Sequence, residues 1–415
     1  MRGRCALVHL LALVCACNGR TVPEQTDGGG TTTSTGADEP PATTTTGAPT
    51  TSSSSTGAPT TGAPPVPRTC GNGVVEPGEV CLGTPVQIDA TAVERVWTAD
   101  LDGDGRSDVL TGAGVWLQRE GGLEAGTLPA IGPAFKVGDF DGDGHGDLVA
   151  YDSEARTLAL SRGDGMGGFA APIVTVVSKL NGTFVMDVDA DGRDEIVGQA
   201  PELDALRTYV AGDDGLFVPL AIQPMSAWDS LRGSGDGDGD GFPDLLIGEF
   251  EETSIWWGQG DGSFVAAEEL LPPQMYFKLA DLEGDGTDEL LFAFADEWWD
   301  FSNYSAGALW LVGAQAEWPR AEVELEEYAI EFLAGDMSND GLGDVIVIVA
   351  QLGGPEEPVL EVLCSAPGRV LSRCATLALE VTPAELVALD VNADGALDLV
   401  LAAGEAGLWV VPAEP

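Results

Sequence analysis

Basic residues and histidine are what this sequence most lacks. Lys and Arg number 18 against 68 Asp and Glu, giving a net charge of −50. So acidic a chain repels phosphates, which argues against nucleic acid and against anionic membrane surfaces as partners. Of two histidines, only His145 lies beyond the N-terminal segment. That leaves no basis for a Ser-His-Asp or Cys-His mechanism, nor for a His-rich zinc site. A phosphate-binding glycine loop is absent as well. Carboxylate-pair chemistry is the catalytic class that composition leaves open. No run beyond the N-terminus is long and apolar enough to span a bilayer as a helix. A strongly acidic chain is often disordered, but 44% hydrophobic residues and ten tryptophans oppose that reading here. The surplus carboxylates therefore need a specific outlet, and bound divalent cations provide one.

The N-terminus reads as an export signal. Arg2 and Arg4 precede an apolar run over residues 5–16, too short for a membrane span but suited to a signal-peptide core. Val14-Cys15-Ala16-Cys17 resembles a bacterial lipobox. The resemblance implies a signal peptide over residues 1–17 and diacylation of Cys17. By the same analogy, Asn18 directs the protein to the outer membrane or cell surface; without lipidation it is simply secreted. Residues 18–69 are nearly all Thr, Ser, Gly, Ala and Pro. They cannot build a core and read as a solvated tether reaching roughly 40 Å as a flexible coil.

Cysteines beyond the signal number four: Cys70, Cys81, Cys364 and Cys374. An even set in an exported chain implies two disulfides. Sequence does not fix the connectivity, though neighbour pairing closes the shortest loops. If Pro367-Gly368 is a two-residue turn, Cys364 faces Leu371, and a bridge to Cys374 requires a wider loop. Residues 70–81, opening Cys70-Gly71-Asn72-Gly73 and closing at Cys81, resemble the short cysteine-rich repeat of myxobacterial surface proteins, with Leu82-Gly83 in place of its acidic continuation, so that the unit spans residues 70–83. They read as a small knot ending the tether.

One pattern then recurs seven times: Asp-x-acidic-x-Asp-Gly-x-x-acidic followed by apolar residues, at intervals of 39 to 55 residues. Position one is Asp100, Asp139, Asp187, Asp236, Asp281, Asp336 and Asp390. Position three is Asp102, Asp141, Asp189, Asp238, Glu283, Ser338 and Asn392. Position five is Asp104, Asp143, Asp191, Asp240, Asp285, Asp340 and Asp394. Position nine is Asp108, Asp147, Glu195, Asp244, Glu289, Asp344 and Asp398. Calcium takes six to eight oxygens, and alternate residues of a tight loop supply them. Position seven (Arg106, His145, Arg193, Phe242, Thr287, Leu342, Ala396) adds a backbone carbonyl, and glycine at position six permits the turn. Up to seven Ca²⁺ are expected, held more weakly at the sixth loop (Ser338) and the seventh (Asn392). An EF-hand is excluded. Position twelve (Thr111, Ala150, Gly198, Ile247, Phe292, Val347, Leu401) offers no carboxylate, and the residues after position nine read as a buried strand.

Aromatic strands such as Val115-Trp116-Leu117 and Ile255-Trp256-Trp257 follow the loops. Glycine turns ending in phenylalanine, as in Gly260-Asp261-Gly262-Ser263-Phe264, close three of the units. Over residues 84–415 the chain thus resembles the FG-GAP/VCBS repeats of integrin-like propellers. The resemblance implies an all-β, seven-bladed β-propeller whose calcium loops join the first and second strands of each blade. After Asp390 there is room for only two more strands, so residues 85–89 are expected to supply the fourth, with the first inner strand over residues 93–98.

The expected function is a surface-anchored, calcium-binding module for adhesion or scaffolding. Its partner is an unidentified protein or glycan, and the membrane is met only through the lipid. The alternative is a carbohydrate-active propeller, a calcium-dependent polysaccharide lyase or lectin. Trp298, Trp299 and Tyr304 form a candidate ligand platform, because adjacent tryptophans on one strand cannot both face inward. Arg162-Gly163-Asp164 spells an integrin-recognition tripeptide but belongs to a glycine turn shared with two other blades, which is the simpler reading.

Overall fold

The computed structural model describes residues 80–127, 135–226, 229–248, 253–271, 276–295, 304–309, 320–325, 328–350 and 357–413. The signal, the tether, Cys17, Cys70, Trp298 and Trp299 lie outside the described residues.

Seven four-stranded antiparallel sheets make up the fold, with one short 3-10 turn at Pro201–Leu203 as the only helical element described. No helix among the described residues is long and apolar enough to cross a membrane. Each sheet is one blade. The inner strands are Val96–Ala99, Phe135–Gly138, Asn181–Met186, Ser230–Gly235, Tyr276–Ala280, Tyr328–Gly335 and Glu385–Leu389. Each lies against the next, and the seventh lies against the first, so they form a closed ring.

Every second strand begins at position nine of its loop: Asp108–Thr111, Asp147–Asp152, Glu195–Ala200, Asp244–Gly248, Glu289–Ala295, Asp344–Ala350 and Asp398–Ala402. The repeat loops therefore join first and second strands in all seven blades. These second strands carry unbroken apolar runs because a neighbouring blade covers each face. Along Asp344–Ala350, Val345, Val347 and Val349 enter the core shared with the fifth blade, while Ile346 and Ile348 enter the core shared with the seventh. The period of two sends alternate side chains to opposite neighbours. Seven such clusters occur, one at each junction between blades. Outer strands alternate burial and exposure, as along Ile173–Val176.

Closure follows the expected route. Val86–Asp89 pairs antiparallel with Leu408–Val411, completing the last blade, and Leu82 bridges to Ala413. The first inner strand begins later than expected, at Val96. Val93 instead bridges to Gly404 of the last blade, which spends the preceding residues on closure. Removing residues 82–89 leaves Leu408–Val411 as a bare edge. Such a variant should melt well below the parent and associate with rising concentration. A monomer with parental melting, seen by sedimentation and thermal scanning, would remove this closure from the account.

Cys364 and Cys374 are bonded, with Cα atoms 5.7 Å apart. The turn is one residue longer than the two-residue reading, with Ala366 opposite Val370 and left-handed backbone at Gly368 and Arg369. Cys364 therefore faces Ser372 rather than Leu371, and a bulge between Val362 and Leu363 skips Cys374 in the register. That bulge brings the second sulfur within reach. Cys81 is buried and disulfide-bonded.

Candidate metal centres

The seven loops share one backbone cradle. In each, the Oδ2 of position one accepts the N–H of the glycine at position six, at 2.8–2.9 Å. Those glycines have φ between +80° and +92°, which glycine alone adopts without strain. A Cβ there would meet no atom within 4 Å, so the requirement is conformational and not one of space. The position-five carboxylate accepts the N–H of position seven in every loop, at 2.9–3.0 Å. Position four is left-handed in all seven as well, and Ala190, Asn339 and Ala393 stand there where the other loops have glycine. The Gly-Asp-Gly runs of the sequence carry the signal of that second left-handed site.

Position nine has two roles. Its side chain is buried in every loop. One oxygen accepts the N–H of position two in six loops, at 2.7–3.0 Å, and of Ser338 at position three in the sixth. In the five loops with Asp at this position (Asp108, Asp147, Asp244, Asp344, Asp398), the other oxygen accepts an N–H from the end of the third strand or just beyond it: Gln118, Gly163, Gly258, Ser365 and Ala413. The residue thus fastens the loop to the far side of its blade. Burial pushes these carboxyls up, to about 7 for Asp147, Asp244 and Glu289, about 8 for Glu195, and about 6 for Asp344 and Asp398. The N–H bonds oppose that shift and the neighbouring carboxylates add to it.

Loops one to four gather three acids each, with oxygens of positions one, three and nine within 4.8 Å of one another: Asp100, Asp102 and Asp108; Asp139, Asp141 and Asp147; Asp187, Asp189 and Glu195; Asp236, Asp238 and Asp244. Three hard oxygen donors at that separation suit a divalent cation such as Ca²⁺. Asp102, Asp141 and Asp189 each bury an Oδ1 that has no hydrogen-bond partner, and so does the Oε1 of Glu195. A buried carboxylate oxygen without a donor is costly, and a cation in the cradle removes that cost. Position five stands apart from these groups, on the exposed rim. Among the described residues no such group forms in loops five to seven. There Glu283 pairs with Arg369 of the sixth blade at 3.2 Å, while Ser338 and Asn392 bring no charge.

His145 belongs to no acidic group. Its ring packs against Gly103 and Gly165, where an added Cβ would come within 2.8 Å and 2.4 Å of it. Sequence reasoning also missed position eight. Asp194 and Asp288 reach back to the preceding loop, accepting the N–H of Asp139 at 2.7 Å and of Asp236 at 2.8 Å. Their own N–H groups bond the carbonyls of the same two residues at 2.6 Å. Gly146 makes the equivalent backbone bond to Asp100, and Gly343 donates instead to the carbonyl of Leu282, one residue further along its neighbouring loop. Arg162-Gly163-Asp164 is a structural turn: Gly163 donates to Asp147, and Asp164 accepts from Met166 and Gly168. Of the aromatic platform, only the backbone of Tyr304 is described, where it opens the strand Tyr304–Leu309.

The FG-GAP-like repeat family matches residues 139–198 and 236–292, spanning the acidic-loop motifs of the second, third, fourth and fifth blades. A search of curated proteins finds no match. Among solved structures, BBS1N in complex with ARL6DN aligns with a TM-score of 0.50 at 10% identity, covering 81% of this chain and 97% of that one. A Lactobacillus plantarum protein aligns at 0.45 and 11% identity, covering 74% and 88%. The Photorhabdus luminescens Tc holotoxin pore aligns at 0.40 and 16% identity over 70% of this chain, which spans only 16% of that chain's length. At such identities the likeness concerns the fold alone. The chain carries FG-GAP-like repeats within the second to fifth blades of a seven-bladed β-propeller.

Proposed function

We propose that this protein is a calcium-binding propeller displayed at a cell surface, anchored through Cys17 and acting as a binding or scaffold module for a protein or glycan. The observation that carries the calcium reading is the orphaned, buried Oδ1 of position three, repeated at Asp102, Asp141 and Asp189 beside two further carboxylates. Calcium offsets two of the three negative charges in each group and ties the loop to the second strand, so its role is structural. The lipobox-like segment and the tether support surface display.

Calcium titration of the full chain tests the first part. At least four ions should bind, and replacing Asp141 and Asp143 with Ala should remove one. A protein that takes up no calcium would overturn the reading. Surface display is tested separately: Cys17→Ser should abolish labelled fatty-acid incorporation and membrane partitioning, since stable attachment needs more than one acyl chain. A wild type that never incorporates the label is secreted, and the anchored reading fails.

A further inference from the structure

The closed ring of inner strands has two chemically different ends. All seven strands run into their acidic loops, and adjacent loops abut through backbone bonds such as Gly146 N–H to Asp100 and Asp194 N–H to Asp139. The acids therefore crowd one end. Toward the other, on the inner strands or one residue before them in sequence, stand four basic residues, Arg95, Lys136, Arg232 and Lys278, beside four acids, Asp229, Glu327, Glu331 and Glu385. In a chain with 68 acidic and 18 basic residues this is a local enrichment in positive charge.

Some of that charge is already matched. Lys278 is paired with Glu331, and Glu385 accepts the N–H of Val96 at 3.0 Å. Arg95 and Lys136 form no direct ion pair or hydrogen bond among the described residues, and Glu385 is the acid that acts on both. Both line a cavity of about 260 Å³ that crosses the inner strands of the first three blades. Its walls include Trp97, Phe135, Tyr151 and Thr183. The rings of Trp97 and Phe135 pack with centroids 4.7 Å apart, and Tyr151 is fixed by accepting the N–H of Leu180 at 2.6 Å. Arg95 is exposed at the rim, while Lys136 is half-buried, 5.9 Å from the centre of the Phe184 ring. Burial holds Lys136 below the ordinary lysine range, Arg95 adds to that, and Glu385 opposes it.

We infer that this cavity binds a single carboxylate-bearing ring, of the class of a uronic acid residue. Lys136 and Arg95 receive the carboxylate, and the aromatic wall takes the ring's apolar face. The volume lies just under the roughly 300–1,000 Å³ of typical small-molecule pockets, which suits one ring and not a polymer. Two cations facing the one acid Glu385 leave positive charge over to select an anion, and the aromatic walls select a ring over a bare ion. The inference rests on the reading of the chain as a binding module, and adds the ligand class and the place.

Titration of the full chain, loaded with calcium, with galacturonate, galactose and acetate tests it. Galacturonate should bind measurably tighter than either of the others. Lys136→Met should weaken it by about tenfold or more, as loss of a charged hydrogen bond implies. Lys136→Arg should keep most of the affinity, and Arg95→Gln should lose part of it. Melting temperature and calcium stoichiometry, read on each variant, confirm that the fold is intact. Equal binding of galactose or acetate, an unchanged affinity in Lys136→Met, or no binding of galacturonate overturns the site. Any of these with calcium stoichiometry and lipidation as expected leaves the proposed function standing.

Discussion

Asp147→Ala should be among the most damaging single substitutions in the second blade, even without calcium. Asp147 is 1% exposed and its two oxygens accept the N–H groups of Phe140 and Gly163. Alanine strands both donors in a site water does not reach. At about 1–3 kcal/mol for each orphaned group, the loss is about 2–6 kcal/mol, a large part of a domain's stability. Asp143→Ala provides the contrast. Asp143 is exposed and caps only the N–H of His145, so in chelator its loss should cost well under about 1 kcal/mol. With calcium present both variants should lose stability. Denaturant unfolding in chelator and in calcium separates the two effects. Equal, small losses for both variants in chelator would show that position nine serves only as a ligand.

That double duty of position nine explains what the sequence disclosed and what it did not. The seven loops are legible because one local geometry, a left-handed glycine between carboxylates, must be rebuilt in each blade. The buried second strands are legible because both faces are covered, so Asp344–Ala350 reads as an unbroken apolar run. Contacts between blades repeat only in part. Gly138 has no room for a Cβ, which would stand 2.6 Å from Asp194 Oδ2, and at Gly235 it would stand 2.1 Å from Asp288 Oδ2. At another junction the sizes are reversed: Gly146 lies against Ala99, with a would-be Cβ contact of 2.9 Å. Each junction solves its own packing with residues some 50 positions apart, so neither partner is conspicuous alone. The same holds for Arg95 and Lys136, which share a cavity only because the ring closes. Cys374 depended on a bulge, which no spacing rule announces.

Without calcium, stability should fall as pH rises from about 5 to 8, and calcium should offset most of that fall. In the unfolded chain the acids titrate near their ordinary values, about 4. In the fold, burial lifts Asp344 and Asp398 to about 6, Asp147, Asp244 and Glu289 to about 7, and Glu195 to about 8. A raised value means that the fold prefers the protonated acid. The contribution is therefore complete below about pH 4 and is lost as pH climbs through 6 to 8. Growing repulsion within a chain of net charge −50 acts in the same direction. A bound cation reverses the preference, because it needs the ionised form and competes with the proton. Chelator should therefore lower the melting temperature sharply at pH 8 and little at pH 5. Thermal scans across this range, with calcium and with chelator, read the difference directly. A chelated protein whose melting temperature is flat or rising from pH 5 to 8 would show that the buried acids are not held at the cost their burial implies. A calcium effect of equal size at both ends would show that the ion does not sit among them.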